Sequence, residues 1–497
     1  MIKRLLIANR GEIARRIIRA CRELRIETVA VYSDADAGSP HVSEADRAVR
    51  IGPAPARDSY LSIEAIIAAA QSTRADAVHP GYGFLSERAP FVRACENAGL
   101  VFVGPPASAL EKMGSKTGAR ALMTGAKVPV VPGETPADQS DDALTAAAKR
   151  VGFPVLIKPA AGGGGIGMKA VQDAAGLAEA LHAARREAKA SFGNDTLYIE
   201  RLILKPKHVE IQVFADSHGH TVHVFERECS AQRRHQKVIE ESPCPALSPA
   251  IRERMGAAAI AAAQAVGYRN AGTCEFLLEG SGDDASFYFL EMNTRLQVEH
   301  PVTECVTGVD LVHAQLRVAS GEPLPFTQDR LSQRGHAIEC RVYAEDPSQG
   351  FIPQAGPILL YREPQGPGIR VDSGVKAGSE VSVHYDPMLA KLIVHAATRE
   401  DARRRAIHAL RDYAILGIRT NIPFLLQILE HPSFVDASID TGFLDREGAA
   451  LASAISTDFP PAVIAFARSL KGSIGSTGSK GEVLAPDPFE TLKAWRG

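Results

Sequence analysis

The chain has 497 residues, 45% of them hydrophobic, and a formal net charge of −2. That is material for about three domains with substantial cores, and it gives no field for nucleic acid or an anionic membrane. Seven cysteines without a CxxC pair argue for a reducing compartment and against a zinc site, and no apolar run reaches the ~18 residues of a membrane span. The N-terminus, MIKRLLIANRGEIARR, has only a short apolar run and does not read as a signal peptide. A soluble cytoplasmic protein is the expectation.

Leu5 to Ala8 reads as a strand, Glu12 to Leu24 as a helix with Ile13, Ile17, Ala20 and Leu24 on one face, and Thr28 to Tyr32 as the next strand. This βαβ start lacks the G-x-G-x-x-G fingerprint, since NRGEIA carries one glycine, so dinucleotide binding is rejected here. Ile63–Gln71 reads as a helix and Ala77–His79 as a strand. The loop HPGYGFLSE, residues 79–87, follows at a strand carboxyl end, where open α/β sheets carry ligands. Leu110 to Ala126 is expected as a helix containing Lys116, and VPVVPG, residues 128–133, as a hinge-like connector. Asp141–Val151 (helix) and Phe153–Lys158 (strand) precede AAGGGGIGM, residues 160–168. Consecutive glycines are costly in chain entropy. Between two strands they suit close backbone approach to phosphate oxygens, and no G-K-[ST] follows as in a Walker A loop.

Ala174–Lys189 is an expected helix, and Thr196–Arg201, His208–Phe214 and Thr221–Glu226 are expected antiparallel strands. CSAQRRHQKVIEE, residues 229–241, reads on its own as a solvated basic loop. A helix at Ile251–Val266 precedes two strands, Gly272–Glu279 and one that starts at Phe287, joined through the loop GSGDD. A hairpin centred near Asp283 sets Glu275 opposite Glu291, and paired carboxylates with hard oxygen donors suit Mg²⁺ held against a phosphate. If the strand continues through FYFLEMNTRLQVEHP, residues 287–301, then Glu291, Asn293, Arg295, Gln297 and Glu299 share one face. Gly308–Ser320 reads as helix, 335 to about 394 as β-rich, and Arg399–Leu416 and Pro423–Leu429 as helices. An Ala-rich helix and a flexible linker at 471–482 follow.

Taken together, IANRGEIA, HPGYGFLSE, MGSK, IKPAAGGGGIGM, KHVEIQV, ERECSAQRRHQKVIEE, EMNTRLQVEHP and ECRVYAED resemble biotin carboxylase, the ATP-grasp component of biotin-dependent carboxylases. The resemblance runs from residue 7 to about Arg446. It implies an α/β and α+β multidomain fold: an N-terminal open α/β domain (1–114), an ATP-grasp domain (115–333) with a mobile glycine-rich lid at about 133–203, a β-rich C-terminal domain (334–446), and a tail (447–497). The implied reaction joins bicarbonate to N1 of biotin, through carboxyphosphate, with MgATP consumed.

By the same resemblance Lys116 and Lys158 would contact ATP phosphates, with Gly162, Gly163, Gly164 and Gly165 closing over them and Met168 and Leu277 lining the nucleotide. Glu200, Arg201 and Leu202 would form the adenine hinge, and His208, Gln232 and His235 would hold ribose and phosphate. Glu275, Glu291 and Asn293 would bind Mg²⁺ (or Mn²⁺). Lys237, Arg295, Gln297 and the Val298 backbone would cradle bicarbonate, with Glu299 as its base. Arg341 would hold bicarbonate or phosphate and stabilise the biotin enolate, and Tyr82 and Gly83 would sit by the biotin ring. Arg295 beside Glu299 is expected to keep that carboxylate ionised. Ile166 stands where relatives often carry a cation, and Arg201 where a Lys is common. Arg19, Glu23 and Arg370 would fit a polar dimer interface. No A-M-K-M motif occurs, so biotin would arrive on a carrier domain from another chain or a further part of this one, with a carboxyltransferase as second partner. A subunit of an acyl-CoA carboxylase is the first expectation. The alternatives are a pyruvate or other 2-oxo-acid carboxylase, another ATP-grasp carboxylate ligase, and a non-catalytic nucleotide-binding subunit.

Overall fold

The computed structural model describes residues 1–114, 116–160, 167–234 and 236–455, without the side chains of Lys116, Thr117 and Phe192. Met1–Ser453 make up one compact unit; of the second, Ala454–Gly497, only Ala454 and Ile455 are described, so the linker expected at 471–482 lies outside the described residues.

The central N-terminal strands, Arg4–Ile7 and Ala77–His79, are almost wholly buried because helices cover both faces of the sheet there. Five parallel strands run in the order Arg47–Gly52, Glu27–Ser33, Arg4–Ile7, Ala77–His79, Val101–Phe102. The expected helix appears as Gly11–Glu23 and buries Ile13, Ile17 and Ala20 in the core. Chain order reverses between Arg4–Ile7 and Ala77–His79, which opens a crevice at their carboxyl ends. The start of the helix and the 79–87 loop meet there. Asn9 Nδ2 fastens them by donating to the carbonyls of Pro80 and Tyr82 at 2.8 Å each. At Gly81, φ is +62° and a Cβ would stand 2.8 Å from the Asn9 amide, so this approach requires glycine.

A four-stranded antiparallel sheet, Gly133–Glu134, Leu197–Arg201, Val155–Pro159 and Lys169–Val171, packs on helices Asp141–Val151 and Leu177–Phe192. The third sheet has eight strands: Ser286–Asn293, Asn270–Glu279, Lys207–Ala215, Thr221–Arg233, Gln236–Ser242, His336–Tyr343, Met388–Ala396, Ile369–Ser373. All its pairings are antiparallel. Its Gln236–Ser242 and His336–Tyr343 strands pair across a long stretch of sequence, so one sheet carries both Lys237 and Arg341. Phe276, Leu278, Phe287 and Phe289 pack one of its faces against helix Pro249–Val266, whose N-terminus Ser248 caps at the Ile251 N–H.

Several expectations are corrected. The alternation from Phe287 breaks at a bulge between Phe289 and Glu291, which puts Glu291 on the face opposite to Phe287 and Phe289; the strand ends at Asn293, and helix His300–Thr307 begins after the turn, with Pro301 in its first turn where a missing N–H costs nothing. Residues 229–241 are not a solvated basic loop. They fall largely in two paired strands, Thr221–Arg233 and Gln236–Ser242, mostly buried, because their cations find acidic partners inside the sheet. Within the helix expected over 110–126, Ala107–Gly114 and Lys116–Gly125 are helical, and residue 115 lies outside the described residues. The helix from Arg399 stops at Asp412, and Ala414–Leu416 is a strand. Helix Leu311–Ala319 starts later than expected because Asp310 caps it through the His313 N–H. Among the described residues, no helix is long and apolar enough to cross a membrane.

Candidate active site

Directly opposed residues on antiparallel strands share a face. The register therefore lines up Glu291, Glu275, Glu210 and Arg227 across four neighbouring strands. Three carboxylates beside one another are tolerable only with cations among them. Arg227 supplies one. It is fully buried, and donates from Nε to Glu210 Oε1 at 2.5 Å and from its Nη atoms to Gln212, Thr303 and Thr273 at 2.9, 2.9 and 3.1 Å. Lys237 supplies the other. Its Nζ lies 2.5 Å from Glu210, 2.9 Å from Glu275 and 2.6 Å from Glu299.

Glu299 reaches this ammonium from the turn after the strand, as the residue that precedes helix His300–Thr307. Its second oxygen accepts from Arg341 Nη2 at 3.0 Å, and Arg341 Nε donates to Glu240 at 2.5 Å. Burial alone would raise the Glu299 carboxyl, but the charges of Lys237, Arg341 and Arg227 outweigh it and hold the group well below the ordinary carboxylate range. The expectation that Arg295 does this is therefore corrected. Arg295 turns to Glu87 Oε2 at 2.9 Å and to Gln297 Oε1 at 2.7 Å. Glu275 is likewise held low: Lys237 and His208 overcome its burial. Glu210 goes the other way, raised by burial despite Arg227.

Around Glu275, Asn293 Nδ2 donates to Oε1 at 2.8 Å, Gln297 Nε2 at 3.3 Å, and His208 Nε2 lies 3.2 Å from Oε2. Exposed Glu291 stands directly opposite. This set offers hard carboxylate and amide oxygens with an ionised centre, which fits a divalent cation carried in with a phosphate.

The structure thus gathers His208, Lys237, Glu275, Asn293, Arg295, Gln297, Glu299 and Arg341. Gln232 is buried opposite Lys237, and Leu277 stands opposite His208. Lys158, Glu200, Arg201 and Leu202 belong to the four-stranded sheet and its exit. Lys158 pairs with Glu200, Arg201 donates to Glu279 and Tyr288, and the Leu202 N–H is taken by the Pro154 carbonyl. Met168 precedes strand Lys169–Val171. Tyr82 and Gly83 occupy the N-terminal crevice, where the Tyr82 hydroxyl donates to Glu12. Val298 offers its carbonyl to Lys391 at 2.7 Å. Gly162 to Gly165, Ile166 and His235 lie outside the described residues, as does the Lys116 side chain. Arg19 and Arg370, expected at an interface, both contact Asp372 within the chain.

Sequence reasoning missed Glu87, Glu210, Arg227, Glu240 and Lys391 as site-building residues. A signal existed for Glu210, which alternates with His208 and Gln212 in an otherwise apolar strand, and for Lys391, a lone cation within MLAKLIV.

Sequence patterns of three domain families match the chain: the biotin carboxylase N-terminal domain over residues 1–110, the carbamoyl-phosphate synthase L chain ATP-binding domain over 115–327, and the biotin carboxylase C-terminal domain over 339–446. Biotin carboxylase 1 of Bacillus subtilis is 51% identical over 445 residues, covering 90% of this chain and 98% of that protein. The chain belongs to the biotin carboxylase family. It has the family's ATP-grasp fold. The mitochondrial methylcrotonoyl-CoA carboxylase subunit alpha of Rattus norvegicus is 50% identical over 446 residues, 90% of this chain, and the chain spans 62% of that subunit's length. The biotin carboxylase domain of Hydrogenobacter thermophilus 2-oxoglutarate carboxylase, solved with MgADP, ADP and bicarbonate, superposes with a TM-score of 0.84 at 43% identity, covering 93% of this chain and 99% of that one.

Behind Arg341, this biotin carboxylase fold buries a carboxyl pair. Glu240 and Glu339 face each other across their strands, and neither Glu339 oxygen has a hydrogen-bond partner among the described residues. Burial pushes Glu240 up to about 7 and Glu339 well above its ordinary range. A carboxyl raised by folding costs stability as pH climbs from the unfolded value toward the folded one. Glu339→Gln should therefore gain on the wild type steadily between about pH 5 and about pH 8. Urea unfolding across that range checks this, and a pH-independent offset contradicts it.

Proposed function

We propose that the chain carboxylates biotin: bicarbonate attacks the γ-phosphoryl group of MgATP, giving ADP and carboxyphosphate, and the carboxyl group passes to N1 of biotin with release of phosphate. The observation that carries this reading is Glu299, ionised and lodged between Lys237 and Arg341, beside the Arg295–Gln297 pair. In that reading Lys237, Arg295, Gln297 and the Val298 backbone hold bicarbonate. Glu299 takes its proton as the new P–O bond forms. A strongly depressed carboxylate is a weak base; a bicarbonate that draws Lys237 and Arg341 toward its own oxygens would raise Glu299 toward a useful value. A planar guanidinium suits a planar anion, and Arg341 then faces the developing charge on biotin.

Glu275, Glu291 and Asn293 would receive the Mg²⁺ that arrives with ATP, and Lys116, Lys158 and the glycine run would neutralise and cover its phosphates. The adenine would lie at 200–202, with Met168, His208, Gln232, His235 and Leu277 around the nucleoside. Biotin would approach past Tyr82 and Gly83. We read residues 1–114, 115–333 and 334–446 as the three working domains, with 447–497 as a tail.

The biotin would be carried by a biotin carboxyl carrier domain, and a carboxyltransferase would pass the carboxyl group on. The likeness to methylcrotonoyl-CoA carboxylase alpha subunits supports an acyl-CoA as final acceptor. Seven free cysteines, six of them buried, support a reducing compartment, which we read as the cytoplasm. ADP release by the purified chain with MgATP, bicarbonate and free biotin tests the reading. Turnover that needs both bicarbonate and biotin is expected. Turnover indifferent to bicarbonate would point to another carboxylate substrate.

A further inference from the structure

Lys391 has no part in the proposed reaction, yet it is fully buried in the middle of strand Met388–Ala396. An ammonium kept from water needs charge and hydrogen bonds to compensate it. Its register partners are Arg341 on one side and Asp372 on the other, so the three side chains share one face of the sheet. Lys391 Nζ donates to the Val298 carbonyl at 2.7 Å and lies 3.4 Å from Glu12 Oε1. Glu12, buried in the first turn of helix Gly11–Glu23, accepts from the Tyr82 hydroxyl. The contacts run Tyr82, Glu12, Lys391, Val298. They join the glycine-punctuated crevice loop to the peptide before Glu299.

Each end of that line is geometrically consequential. The Val298 carbonyl and the Glu299 N–H belong to one planar trans peptide, so turning the carbonyl to Lys391 sends the N–H the opposite way. The preceding peptide is fixed in the same manner. The Gln297 carbonyl lies 2.8 Å from His300 Nδ1 and accepts from the His300 N–H, which turns the Val298 N–H away from His300. Lys391 and His300 together hold the backbone on both sides of Val298. At 2.7 Å against 3.4 Å, the Val298 carbonyl holds the ammonium more closely than Glu12 does.

We propose that Lys391 is a positioning residue for the bicarbonate site, and that Glu12 links it to Tyr82, so that the crevice loop and the Val298–Glu299 peptide are set together. This rests on the reading that residues 295–299 receive bicarbonate and Tyr82 stands by biotin. Its consequence is that removing one hydroxyl on the biotin side alters the handling of bicarbonate.

The test is steady-state ADP release by the full chain, with the KM of bicarbonate, free biotin and MgATP each measured for wild type, Lys391→Met, Tyr82→Phe and the double variant. Lys391→Met should raise the bicarbonate KM by roughly tenfold or more, as expected for losing a charged hydrogen bond in a buried site, with the MgATP KM little changed. Tyr82→Phe should raise it by about threefold, and the double variant should be no worse than Lys391→Met alone, because linked residues do not act additively. A bicarbonate KM unchanged in Lys391→Met overturns the positioning role. Effects that multiply, or a Tyr82→Phe that moves only the biotin KM, overturn the link. If Lys391→Met does not fold by thermal melting, Glu12→Gln beside Tyr82→Phe decides: bicarbonate KM values unchanged in both overturn the proposal. A wild type with no bicarbonate-dependent turnover overturns the proposed reaction itself, whereas an active wild type with indifferent variants overturns this inference alone.

Discussion

Replacing Glu299 with glutamine is expected to lower bicarbonate-dependent ADP release by a factor of about 10²–10⁴, the usual worth of a positioned general base. The substitution keeps volume and one acceptor oxygen, so it can retain one of the two wild-type contacts, to Lys237 at 2.6 Å or to Arg341 at 3.0 Å, while its amide NH2 faces the other cation. What it removes is the proton acceptor and the charge. The KM for MgATP should change little, since other residues would hold the nucleotide. The wild-type carboxyl is held far below its ordinary range, so its stabilising share is present above the unfolded value and is lost only as pH falls through the lower folded one. The acid side of the wild-type kcat/KM profile for bicarbonate, which reports the free enzyme, should therefore show no step at the ordinary glutamate value. Stopped or continuous ADP assays across pH check both points; a variant that keeps most of its bicarbonate-dependent rate contradicts the base assignment.

Lys237→Met should have the largest combined effect. Lys237 is the contact that Glu210, Glu275 and Glu299 share. Its removal leaves three buried carboxylates with Arg227, Arg341 and His208 as remaining partners. Breaking a buried ionic cluster from one side costs about 3–5 kcal/mol. The ammonium's own value is raised well above normal, so its contribution is complete throughout neutral pH and is lost only as pH rises through that raised value. Without it, carboxylates must hold protons to stay buried, which costs more as pH rises. The stability deficit of Lys237→Met should therefore be smaller near pH 5 than near pH 8, roughly following the protonation of one carboxyl. Turnover should be lost at both. Urea midpoints at the two pH values, with ADP assays beside them, test this; a deficit below about 1 kcal/mol would mean the cluster is not organised around this ammonium.

What is legible in the sequence is what is local. The pairing of Glu275 with Glu291 can be read because a short loop keeps the two strands close to one register, although in the structure a bulge between Phe289 and Glu291 makes up a one-residue offset, seen where Leu278 stands opposite Phe287. The strand's end at Asn293 cannot, because alternation continues in the letters through Glu299 while the backbone has already turned. Pro301 is the available sign of a helix start. The 229–241 stretch misleads because its cations look solvated until their partners are known. Glu210 and Glu345 come from distant strands. The single sheet that joins Gln236–Ser242 to His336–Tyr343 is equally hidden: no local pattern announces that Glu240 will stand opposite Glu339. The family resemblance supplies roles for residues that spacing alone could not. It gives none to Lys391, whose significance lies entirely in what it touches.

The most direct test of biotin carboxylation follows the carboxyl carbon. Labelled bicarbonate is incubated with the purified chain, MgATP and a biotinylated carrier domain, and acid-labile label on the carrier is counted. Label that reaches the carrier only with MgATP, and that disappears in Glu299→Gln, is the expected result. ATP hydrolysis that proceeds at full rate with no label on biotin or carrier would contradict it.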